Sequence, residues 1–530
     1  MSRFPLFLLA GVVFGANLYE PVEWTFRGPG QSASDSPARD ISFWARVRHS
    51  SGSPEYQIHG FFDGDGQGGI EGGVFKIRFT PTKTGTWNLA EVYSSNAALN
   101  RQKQGETITV SESRHHGFWI PDNESAGRRW YRRSDGSHQY IVGNTQYSFL
   151  SGMREGGPSG VDIAVDIRNN ATHFKKLRMG IHGDRYPHAT EKPYLDDHGK
   201  PTDNGDFGHR PNPRWFHTRV DVAVKTAFEQ DLVADLILCG PDFEDVRANL
   251  RAKGNRGDPA PFLRYVAARY GSFPNVWMCL CNEYDIRTPK WSPVEVAKIG
   301  ASLRSFLPFP TPLSVHPASR PLWAPEFDGG NWFDHAIIQR KIRHVPLAAD
   351  TIAHVHNNPG DKPRQLPVIN DELSYEGEGD QHVAGDTIEA HLGAFLGGGY
   401  GTTGLKTGNK LGHYFWGGFT PQEHAAAPGL RFLREMIDQH IEFWRMAPDL
   451  SIFANLDADT RGMSWPRRQY VLGANRERHA MVAKLPEGSW RVDLFDLIAR
   501  KHQRVSEAAS GRFVFDGPAS RAVLFVFTRK

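Results

Sequence analysis

The chain has 530 residues, and at roughly 100–200 residues per domain this length predicts two to four domains. Its formal net charge of +3 gives no electrostatic reason to expect a nucleic-acid partner. A hydrophobic content of 39% beside 23% charged residues is typical of a folded, soluble protein and excludes a disordered one. The 14 Trp, 15 Tyr and 33 Phe suit β-sandwich cores, and they also suit clefts that stack flat ligand faces.

The first residues are typical of a signal peptide. Arg3 is followed by an apolar run that ends in small residues at about Ala16. This run is too short to cross a bilayer, and no later stretch is apolar for long enough to do so. We therefore predict a signal peptide over residues 1–16, a secreted or periplasmic protein, and no membrane association after cleavage. The alternative is that these residues form a buried N-terminal strand.

Two regions of the chain consist of short segments in which apolar and polar residues alternate between turns. Residues 17–120 contain runs such as ISFWARV (41–47), and residues 450–530 contain runs such as RQYVLGAN (468–475). Alternation of this kind, broken by Gly, Pro and Asp, is typical of antiparallel strands. Each region is therefore predicted to be a β-sandwich.

Residues 130–447 have a different rhythm, in which apolar strands are followed by amphipathic helices. LRMGIHG (177–183) and DLILCGP (235–241) are two of these strands, and about eight such strand–helix repeats fit into the region. Continuous apolar strands that alternate with helices predict a parallel sheet, and eight repeats favour a closed (β/α)8 TIM barrel over an open sheet. A GxGxxG after the first strand and a GxxxxGK[ST] motif are both missing, which removes dinucleotide and P-loop hypotheses.

Three cysteines, Cys239, Cys279 and Cys281, are too few to form a disulfide framework in a protein of this length. Cys279 and Cys281 are two residues apart on a predicted strand, which is not the spacing of a zinc site. We expect them to be small core residues, with one bridge to Cys239 left open. The pair His354 and His356 has no convincing third ligand and HExxH is absent, so no metal and no cofactor are predicted.

Two of the predicted barrel strands end in a carboxylate after an apolar run. NVWMCLCNEYD (275–285) carries Glu283, and LPVINDE (366–372) carries Glu372. Active sites of such barrels lie at the C-terminal ends of the strands, so both carboxylates are expected at the mouth, on the fourth and seventh strands. Such a pair permits glycosidic cleavage, because one carboxyl protonates the leaving oxygen and the other attacks the sugar or activates water. Each carboxylate alone could equally be a structural cap.

These residues resemble those of a known group of enzymes. Asn282-Glu283 ending one strand and Glu372 ending another resemble clan A glycoside hydrolases, which are retaining (β/α)8 enzymes. The strings PNVWMCLCNEYD (274–285) and PVINDELSYEG (367–377), with GGGYGTTG (397–404), look like the apiosidase-like barrel group. Glu23-Trp24, HGFFDGDG (59–66) and RFTP (78–81) resemble the Ig-like module that often precedes such barrels, and the C-terminal sandwich is similar to the small β module that follows them.

The resemblance implies a secreted glycosidase that cleaves O-glycosidic bonds of a cell-wall type poly- or oligosaccharide by a retaining double displacement. Glu283 would be the general acid/base and Glu372 the nucleophile, while Asn282 would bond the sugar 2-hydroxyl. A Glu in an aromatic cleft near Trp277 and Tyr284 would have its protonated form favoured by desolvation, as a general acid requires. Glu372 must instead stay ionised.

Neighbouring residues leave parts of this assignment open. Asp285 lies close to Glu283 and Asp371 adjoins Glu372, so either aspartate could take a catalytic role. Further candidates for contact with the substrate follow other predicted strands: Asn144 and Tyr147 after the first, His182 after the second, His316 on the fifth, Tyr375 after the seventh, and His413, Tyr414 and Trp416 after the eighth. The resemblance implies that an aromatic residue after the eighth strand forms a platform for the sugar.

Two other functions stay possible on the same barrel. One is a catalytically inactive carbohydrate-binding or adhesion protein, and the other is a polysaccharide lyase or metal-dependent hydrolase. The expected partner in each case is a glycan and not a nucleic acid. The sequence does not specify the sugar, the linkage, exo or endo action, or the oligomeric state.

Overall fold

A computed structural model describes residues 14–154, 157–182, 190–202, 210–240, 258–286, 290–318, 327, 331–357, 365–377, 382–407 and 411–530. Within these residues the chain forms an eight-stranded parallel sheet, with largely antiparallel sheets on its N-terminal and C-terminal sides. The prediction of a multidomain protein with a central TIM barrel between two β-sandwiches is therefore confirmed. The closer likeness of the first sandwich to immunoglobulin-type modules stays a prediction.

The N-terminal sandwich packs a five-stranded sheet against a three-stranded sheet. The larger sheet runs in the order Phe14–Asn17, Thr107–Ser111, Gly85–Ser94, Phe43–His49 and Glu55–His59, and the smaller in the order Val22–Gln31, Gly72–Phe79 and Phe61–Phe62, with a short helix at Pro37–Asp40. Alternation along the strands forms the core, because Phe43, Ala45 and Val47 are buried while the residues between them point outward.

The first described strand overlaps the predicted signal peptide. Phe14–Asn17 pairs in parallel with Thr107–Ser111, and Ala16 belongs to the core of the sandwich. The predicted boundary after residue 16 therefore falls inside a strand, and cleavage there would remove most of it. Residues 1–13 of the predicted signal peptide lie outside the described residues.

The barrel is built from eight parallel strands that follow one another in chain order around the sheet. From the first to the eighth they are Val142–Thr145, Lys176–Gly180, Val233–Ile237, Val276–Asn282, Leu313–His316, Ala336–Ile338, Val368–Glu376 and Tyr400–Leu405. The first strand pairs with both the second and the eighth. The fifth and sixth strands meet without a regular ladder, through the Asp334 amide on the Leu313 carbonyl (2.9 Å) and the Ser314 hydroxyl on the His335 carbonyl (2.6 Å).

Helices cover the outside of the barrel, and a hairpin closes its N-terminal end. The covering helices are Ile163–Ala171, Pro213–Trp215, Phe216–Val220 (a π-helix), Asp221–Glu229, Ala260–Tyr270, Pro293–Phe306, Val345–Asn357, Ala384–Leu396 and Ala427–His440, and the short helix His413–Trp416 packs beside Tyr147. The hairpin of Trp119–Pro121 and Tyr131–Arg133 packs beneath the strands. The Tyr131 ring packs against Trp277 with 4.5 Å between centroids, and the Tyr131 hydroxyl bonds His335 Nδ1 at 2.8 Å. Among the described residues, the hairpin therefore covers the N-terminal end of the barrel.

The C-terminal sandwich is antiparallel throughout its described strands. Its six-stranded sheet runs in the order Ala447–Pro448, Arg461–Trp465, Gln469–Ala474, Val523–Arg529, Trp490–Asp496 and Lys501–Ala509, and its three-stranded sheet in the order Phe453–Ala454, Arg478–Lys484 and Arg512–Gly517. No helix among the described residues combines the length and the apolar character that a membrane span needs.

A largely buried group of charged side chains joins the N-terminal sandwich to the barrel. We call it the junction cluster, and it consists of Glu23, Asp63, Lys76 and Arg78 of the sandwich with Asp221 and Arg269 of the barrel helices. Arg78 Nη2 lies 2.5 Å from Asp221 Oδ2, and Arg269 Nη2 lies 2.8 Å from Asp63 Oδ1. Because cations and carboxylates of the two domains alternate, the cluster holds the sandwich against the barrel.

Candidate active site

Glu283 and Glu372 both lie at the C-terminal end of the barrel, as predicted. Glu283 directly follows the fourth strand, and Glu372 is part of the seventh. The two carboxyls are close enough for the charge of Glu283 to act on the pKa of Glu372. The mouth of the barrel therefore contains a pair of interacting carboxylates.

An irregularity in the seventh strand turns two consecutive acids to the same side. In a regular strand Asp371 and Glu372 would face opposite sides of the sheet. The pairing with the eighth strand shifts between Asn370 and Ser374, so extra residues are inserted at this point. Both carboxyls consequently face the barrel interior, where Asp371 bonds Lys176 and Glu372 bonds Tyr147.

Glu283 is held in a backbone conformation that side chains rarely adopt. Its φ is 50°, which lies in the left-handed region. Hydrogen bonds fix the chain on either side, from the Asn282 amide to the Cys239 carbonyl (2.8 Å) and from the Tyr284 amide to the His316 carbonyl (3.2 Å). The half-buried Glu283 side chain accepts a hydrogen bond at Oε1 from Gln339 Nε2 at 3.0 Å. Strain of this kind is concentrated at functional sites.

Glu372 is more deeply buried than Glu283, with 6% of its surface exposed. Burial and then the negative charge of Glu283 raise the pKa of the Glu372 carboxyl above its ordinary value. Arg178, a hydrogen bond from Tyr147 and the charge of Lys341 oppose this rise. The Tyr147 hydroxyl donates to Glu372 Oε1 at 2.6 Å. Ionisation of the Glu372 carboxyl is thus unfavourable, but the Tyr147 hydroxyl donates a hydrogen bond that stabilises the ionised form.

Arg178, on the second strand, connects several groups of the site. Its Nη1 donates to the Tyr147 hydroxyl at 3.1 Å, and its Nη2 donates to Asn282 Oδ1 at 2.8 Å and to His316 Nδ1 at 2.7 Å. Arginine has no acceptor, so Nδ1 of His316 must be unprotonated and the neutral ring carries its proton on Nε2. Burial, followed by the charge of Arg178, holds the pKa of His316 well below its ordinary value, which agrees with a neutral ring.

A layer of paired charges lies beneath these residues. Lys176 Nζ is 2.5 Å from Asp371 Oδ1 and 3.0 Å from Asp235 Oδ2, and Thr402 Oγ1 donates to Asp371 Oδ1 at 2.6 Å. Burial alone would raise the pKa of Asp371, but Lys176 and Arg178 hold it below its ordinary value. The Asp371 carboxylate is therefore fixed as an ion-pair partner. Asp285, the other alternative acid, accepts a hydrogen bond from the Ala318 amide at 2.7 Å.

Several of the predicted substrate contacts lie beside the two carboxylates. Asn282 and His316 share Arg178 as a donor. The Tyr375 hydroxyl is 3.1 Å from the Tyr147 hydroxyl, and the Tyr375 ring packs on Tyr414 with 5.1 Å between centroids. The half-buried Trp416 packs in the same apolar cluster as Tyr147. These residues form one continuous polar and aromatic lining.

Other predicted contacts point elsewhere. Asn144 faces outward, where its Nδ2 donates to Asn170 Oδ1 of the covering helix at 2.7 Å. His182 is buried between Tyr194 and Phe262, and burial lowers its pKa to about 3. Their side chains are engaged in the barrel wall, so we leave both out of the proposed site.

Tyr284, His413 and Trp277 contact other side chains of the protein. Tyr284 is buried against Phe327, and His413 Nε2 lies 3.0 Å from Glu423 Oε2. Trp277 lies at the start of the fourth strand and contacts the hairpin that closes the N-terminal end. The expectation that Trp277 desolvates Glu283 was wrong, because six residues of strand correspond to about 20 Å.

Two residues that matter to the geometry were not predicted, namely Arg178 and Gln339. Lys176 and Arg178 are two apart in an otherwise apolar strand, and that spacing puts both cations on the interior face. This signal could have identified Arg178. Gln339 follows the short sixth strand, and no local pattern distinguishes it from a surface glutamine.

The described residues contain no group of three or more His, Cys, Asp or Glu side chains arranged to hold a metal ion. Cys239, Cys279 and Cys281 are all buried free thiols, so the disulfide that the sequence left open is not formed. Cys279 packs beside Tyr147, and Cys281 packs in the outer core of the barrel.

Comparisons with known proteins agree with this geometry. Residues 174–401 match the family described as "Apiosidase-like, catalytic domain", and residues 16–94 match a domain of unknown function, DUF5060. The first match runs from the second barrel strand into the eighth and includes Glu283 and Glu372. The sequence has no match among curated proteins.

Solved structures share the fold. A presumed glycoside hydrolase from Bacteroides vulgatus ATCC 8482 is 20% identical with a TM-score of 0.73, and the alignment covers 97% of this chain and 100% of that one. A glycoside hydrolase family 5 structure from the same organism is 14% identical with a TM-score of 0.60, covering 78% of this chain and 94% of that one. At these identities the comparison establishes the architecture and no more.

Proposed function

We propose that this protein is a retaining glycoside hydrolase that cleaves O-glycosidic bonds of a cell-wall type poly- or oligosaccharide. The observation that carries the proposal is the pair of interacting carboxylates, Glu283 and Glu372, at the C-terminal end of the barrel. The apiosidase-like match over the same segment and the glycoside hydrolases that share the fold support this reaction class. Export by a signal peptide within residues 1–16 is proposed from the sequence.

In the first step Glu372 is the nucleophile. Its carboxylate attacks the anomeric carbon while the Glu283 carboxyl protonates the leaving oxygen, so that the glycosidic bond breaks and a covalent glycosyl ester forms. The Tyr147 hydroxyl, which donates to Glu372 Oε1, favours the ionised carboxylate in the free protein. Asn282 accepts from Arg178 through Oδ1, which leaves its Nδ2 as the donor for a sugar hydroxyl.

In the second step the roles of Glu283 reverse. Its carboxylate takes a proton from a water molecule, the water oxygen attacks the anomeric carbon, and the ester bond to Glu372 breaks. The sugar leaves with its original anomeric configuration, and both carboxyls return to their starting protonation states. No metal or cofactor takes part in this scheme.

The test begins with the wild-type protein on a panel of aryl glycosides and cell-wall polysaccharides, with NMR of the first-formed anomer. We then expect Glu283→Ala and Glu372→Ala each to lower turnover about 10²–10⁴-fold or more. Azide should give a glycosyl azide of retained configuration with Glu283→Ala, because it attacks the glycosyl ester. With Glu372→Ala it should give the inverted azide, because it attacks the substrate directly.

Glu423→Ala is the matched control, since Glu423 is an exposed carboxylate in the segment after the eighth strand. It should leave turnover within about twofold of wild type, as expected for a surface position. Near-normal turnover of Glu283→Ala or Glu372→Ala would contradict the assignment. Sugar binding without turnover would support the inactive binding protein, and an unsaturated product or loss of activity in EDTA would support a lyase or a metal-dependent hydrolase.

A further inference from the structure

Gln339, which follows the sixth barrel strand, is bonded to the carboxyl that the proposed mechanism uses as acid and base. Its Nε2 donates to Glu283 Oε1 at 3.0 Å. Glu283 has a φ of 50° and follows an irregular stretch of the fourth strand, so regular strand geometry does not set the direction of its side chain. A contact from another strand is therefore needed to hold the carboxyl in one orientation.

Gln339 also lies near His316. Gln339 Oε1 and His316 Nε2 are both buried, and neither has a hydrogen-bond partner within bonding distance among the described residues. The two side chains nevertheless interact. His316 carries its proton on Nε2, because Nδ1 accepts from Arg178. The donor on His316 and the acceptor on Gln339 are thus complementary, and the other polar atom of the amide, Nε2, is the one that donates to Glu283.

Two series of side-chain interactions begin at Arg178, and each leads to one of the two carboxylates. Through Nη1 it donates to the Tyr147 hydroxyl, which donates to Glu372 Oε1. Through Nη2 it donates to His316, and His316 interacts with Gln339, the residue that donates to Glu283. One buried guanidinium therefore supports both carboxylates by separate arms.

We infer that Gln339 is a positioning residue that orients the Glu283 carboxyl through the His316 arm of Arg178. This inference rests on the proposed glycosidase function, in which Glu283 protonates the leaving group. Protonation matters most for a poor leaving group and little for one that departs readily as an anion. Loss of Gln339 should therefore penalise substrates in proportion to their need for a general acid, whereas loss of Tyr147 should affect the nucleophile and penalise all substrates alike.

The test uses phenyl and 2,4-dinitrophenyl glycosides of the sugar that the wild-type protein releases in the panel above. Gln339→Met keeps the length of the side chain and removes both polar atoms. We expect it to lower kcat/KM for the phenyl glycoside about 10–100-fold, which is part of the contribution of a general acid. The ratio of kcat/KM between the dinitrophenyl and phenyl glycosides should rise at least about tenfold over wild type.

Tyr147→Phe is the matched control on the other arm. It should lower kcat/KM for both glycosides and leave their ratio within about twofold of wild type, because one missing hydrogen bond to the nucleophile acts on both substrates. Equal losses on both glycosides in Gln339→Met would overturn the inference, since general destabilisation of the site acts in that way. Thermal unfolding of each variant shows whether it is folded.

A crystal structure of Gln339→Met gives a readout that does not depend on turnover. The Glu283 carboxyl should leave its wild-type position, and an unchanged Glu283 side chain would overturn the inference. If the wild-type protein hydrolyses nothing in the panel, the proposed function fails while this structural test still decides the role of Gln339.

Discussion

The junction cluster and the barrel mouth both bury carboxylates beside arginines, yet they act on those carboxylates in opposite directions. At the junction, burial alone would raise the pKa of Asp221, but Arg269 and Arg78 hold it below its ordinary value. At the mouth, burial and Glu283 raise the pKa of Glu372 despite Arg178. The junction cluster stabilises the ionised form of Asp221, whereas the barrel mouth makes the ionised form of Glu372 unfavourable.

The difference follows from how the cations are shared. Asp221 accepts from both Arg78 and Arg269, so its charge is fully matched. At the mouth the guanidinium of Arg178 donates to the Tyr147 hydroxyl, Asn282 and His316, and the hydrogen bond to Glu372 comes from Tyr147, a neutral group. A matched carboxylate stabilises the fold, whereas an incompletely matched one keeps the reactivity that a nucleophile or an acid needs.

The largest effect should come from breaking the junction cluster. Asp221→Ala leaves Arg78 and Arg269 buried with one carboxylate fewer, and loss of one partner from a buried ion pair costs about 3–5 kcal/mol. We expect the free energy of unfolding to fall by this amount in urea denaturation. The folded variant should keep its turnover, because the junction cluster lies outside the mouth.

Asp350→Ala provides the matched control. Asp350 pairs with Arg461 of the C-terminal sandwich at 2.7 Å, but its side chain is 58% exposed. An exposed ion pair contributes at most about 1 kcal/mol, so this variant should change little. Equal losses for the two variants would show that burial is not what distinguishes the junction cluster.

A smaller effect of opposite sign is expected at the mouth. The pKa of Glu372 is raised in the folded protein, so this carboxyl destabilises the fold increasingly as the pH rises above its unfolded pKa, and fully once the pH exceeds the raised value. Below the unfolded pKa of 4.5 the carboxyl is protonated in both states, and it costs nothing. Glu372→Gln should therefore raise the free energy of unfolding at pH 7. The gain should disappear as the pH falls toward 4.5.

Asp371, next to Glu372 in the chain, tests the sign of this effect on the free energy of unfolding. The pKa of Asp371 is lowered by Lys176 and Arg178, so its charge contributes stability above its unfolded pKa and loses it as the pH falls. Asp371→Asn should therefore lower the free energy of unfolding at pH 7, whereas Glu372→Gln raises it. Stabilisation by both substitutions would contradict the contrast between the two carboxylates.

The sequence predicts the positions of the strands better than the directions of their side chains. Apolar runs and helical periods placed Glu283 on the fourth strand and Glu372 on the seventh, and the sheet order confirms both positions. Long, strongly periodic segments carry this information locally. The number and order of the strands, and therefore the end of the barrel that carries the carboxylates, could be predicted.

The wrong predictions concern which face of a strand a side chain points to and how far along the barrel axis it lies. The spacing of apolar residues does not determine either. Asn144 lies beside the inward-facing Gly143, whose missing Cβ would meet Thr402 and Lys176, and so it points to the helices. Conversely, Asp371 and Glu372 point to the same side because the seventh strand has extra residues at this point relative to the eighth. The sequence of the seventh strand alone does not show this irregularity. The role of Gln339 follows from the register of strands that are distant in the chain.

The last prediction concerns the hydrogen bond that favours the ionised nucleophile. Glu372 is faced by Tyr147 after the first strand, Arg178 on the second, Glu283 after the fourth and Lys341 after the sixth. Tyr147→Phe removes the donor to Oε1 and leaves the charges in place, so the pKa of Glu372 should rise further. Because the proposed nucleophile must be ionised, the acidic limb of kcat/KM should move to higher pH by about 0.5–1 unit.

The measurement is the pH profile of kcat/KM for wild type and Tyr147→Phe on one aryl glycoside. A shift of the acidic limb with an unchanged basic limb would assign that limb to Glu372, because the Tyr147 hydroxyl bonds Glu372 and not Glu283. An unmoved acidic limb would mean that ionisation of Glu372 does not limit the reaction at low pH. Equal movement of both limbs would mean that the substitution disturbs the carboxylate pair as a whole, and the two arms of Arg178 would then not act separately.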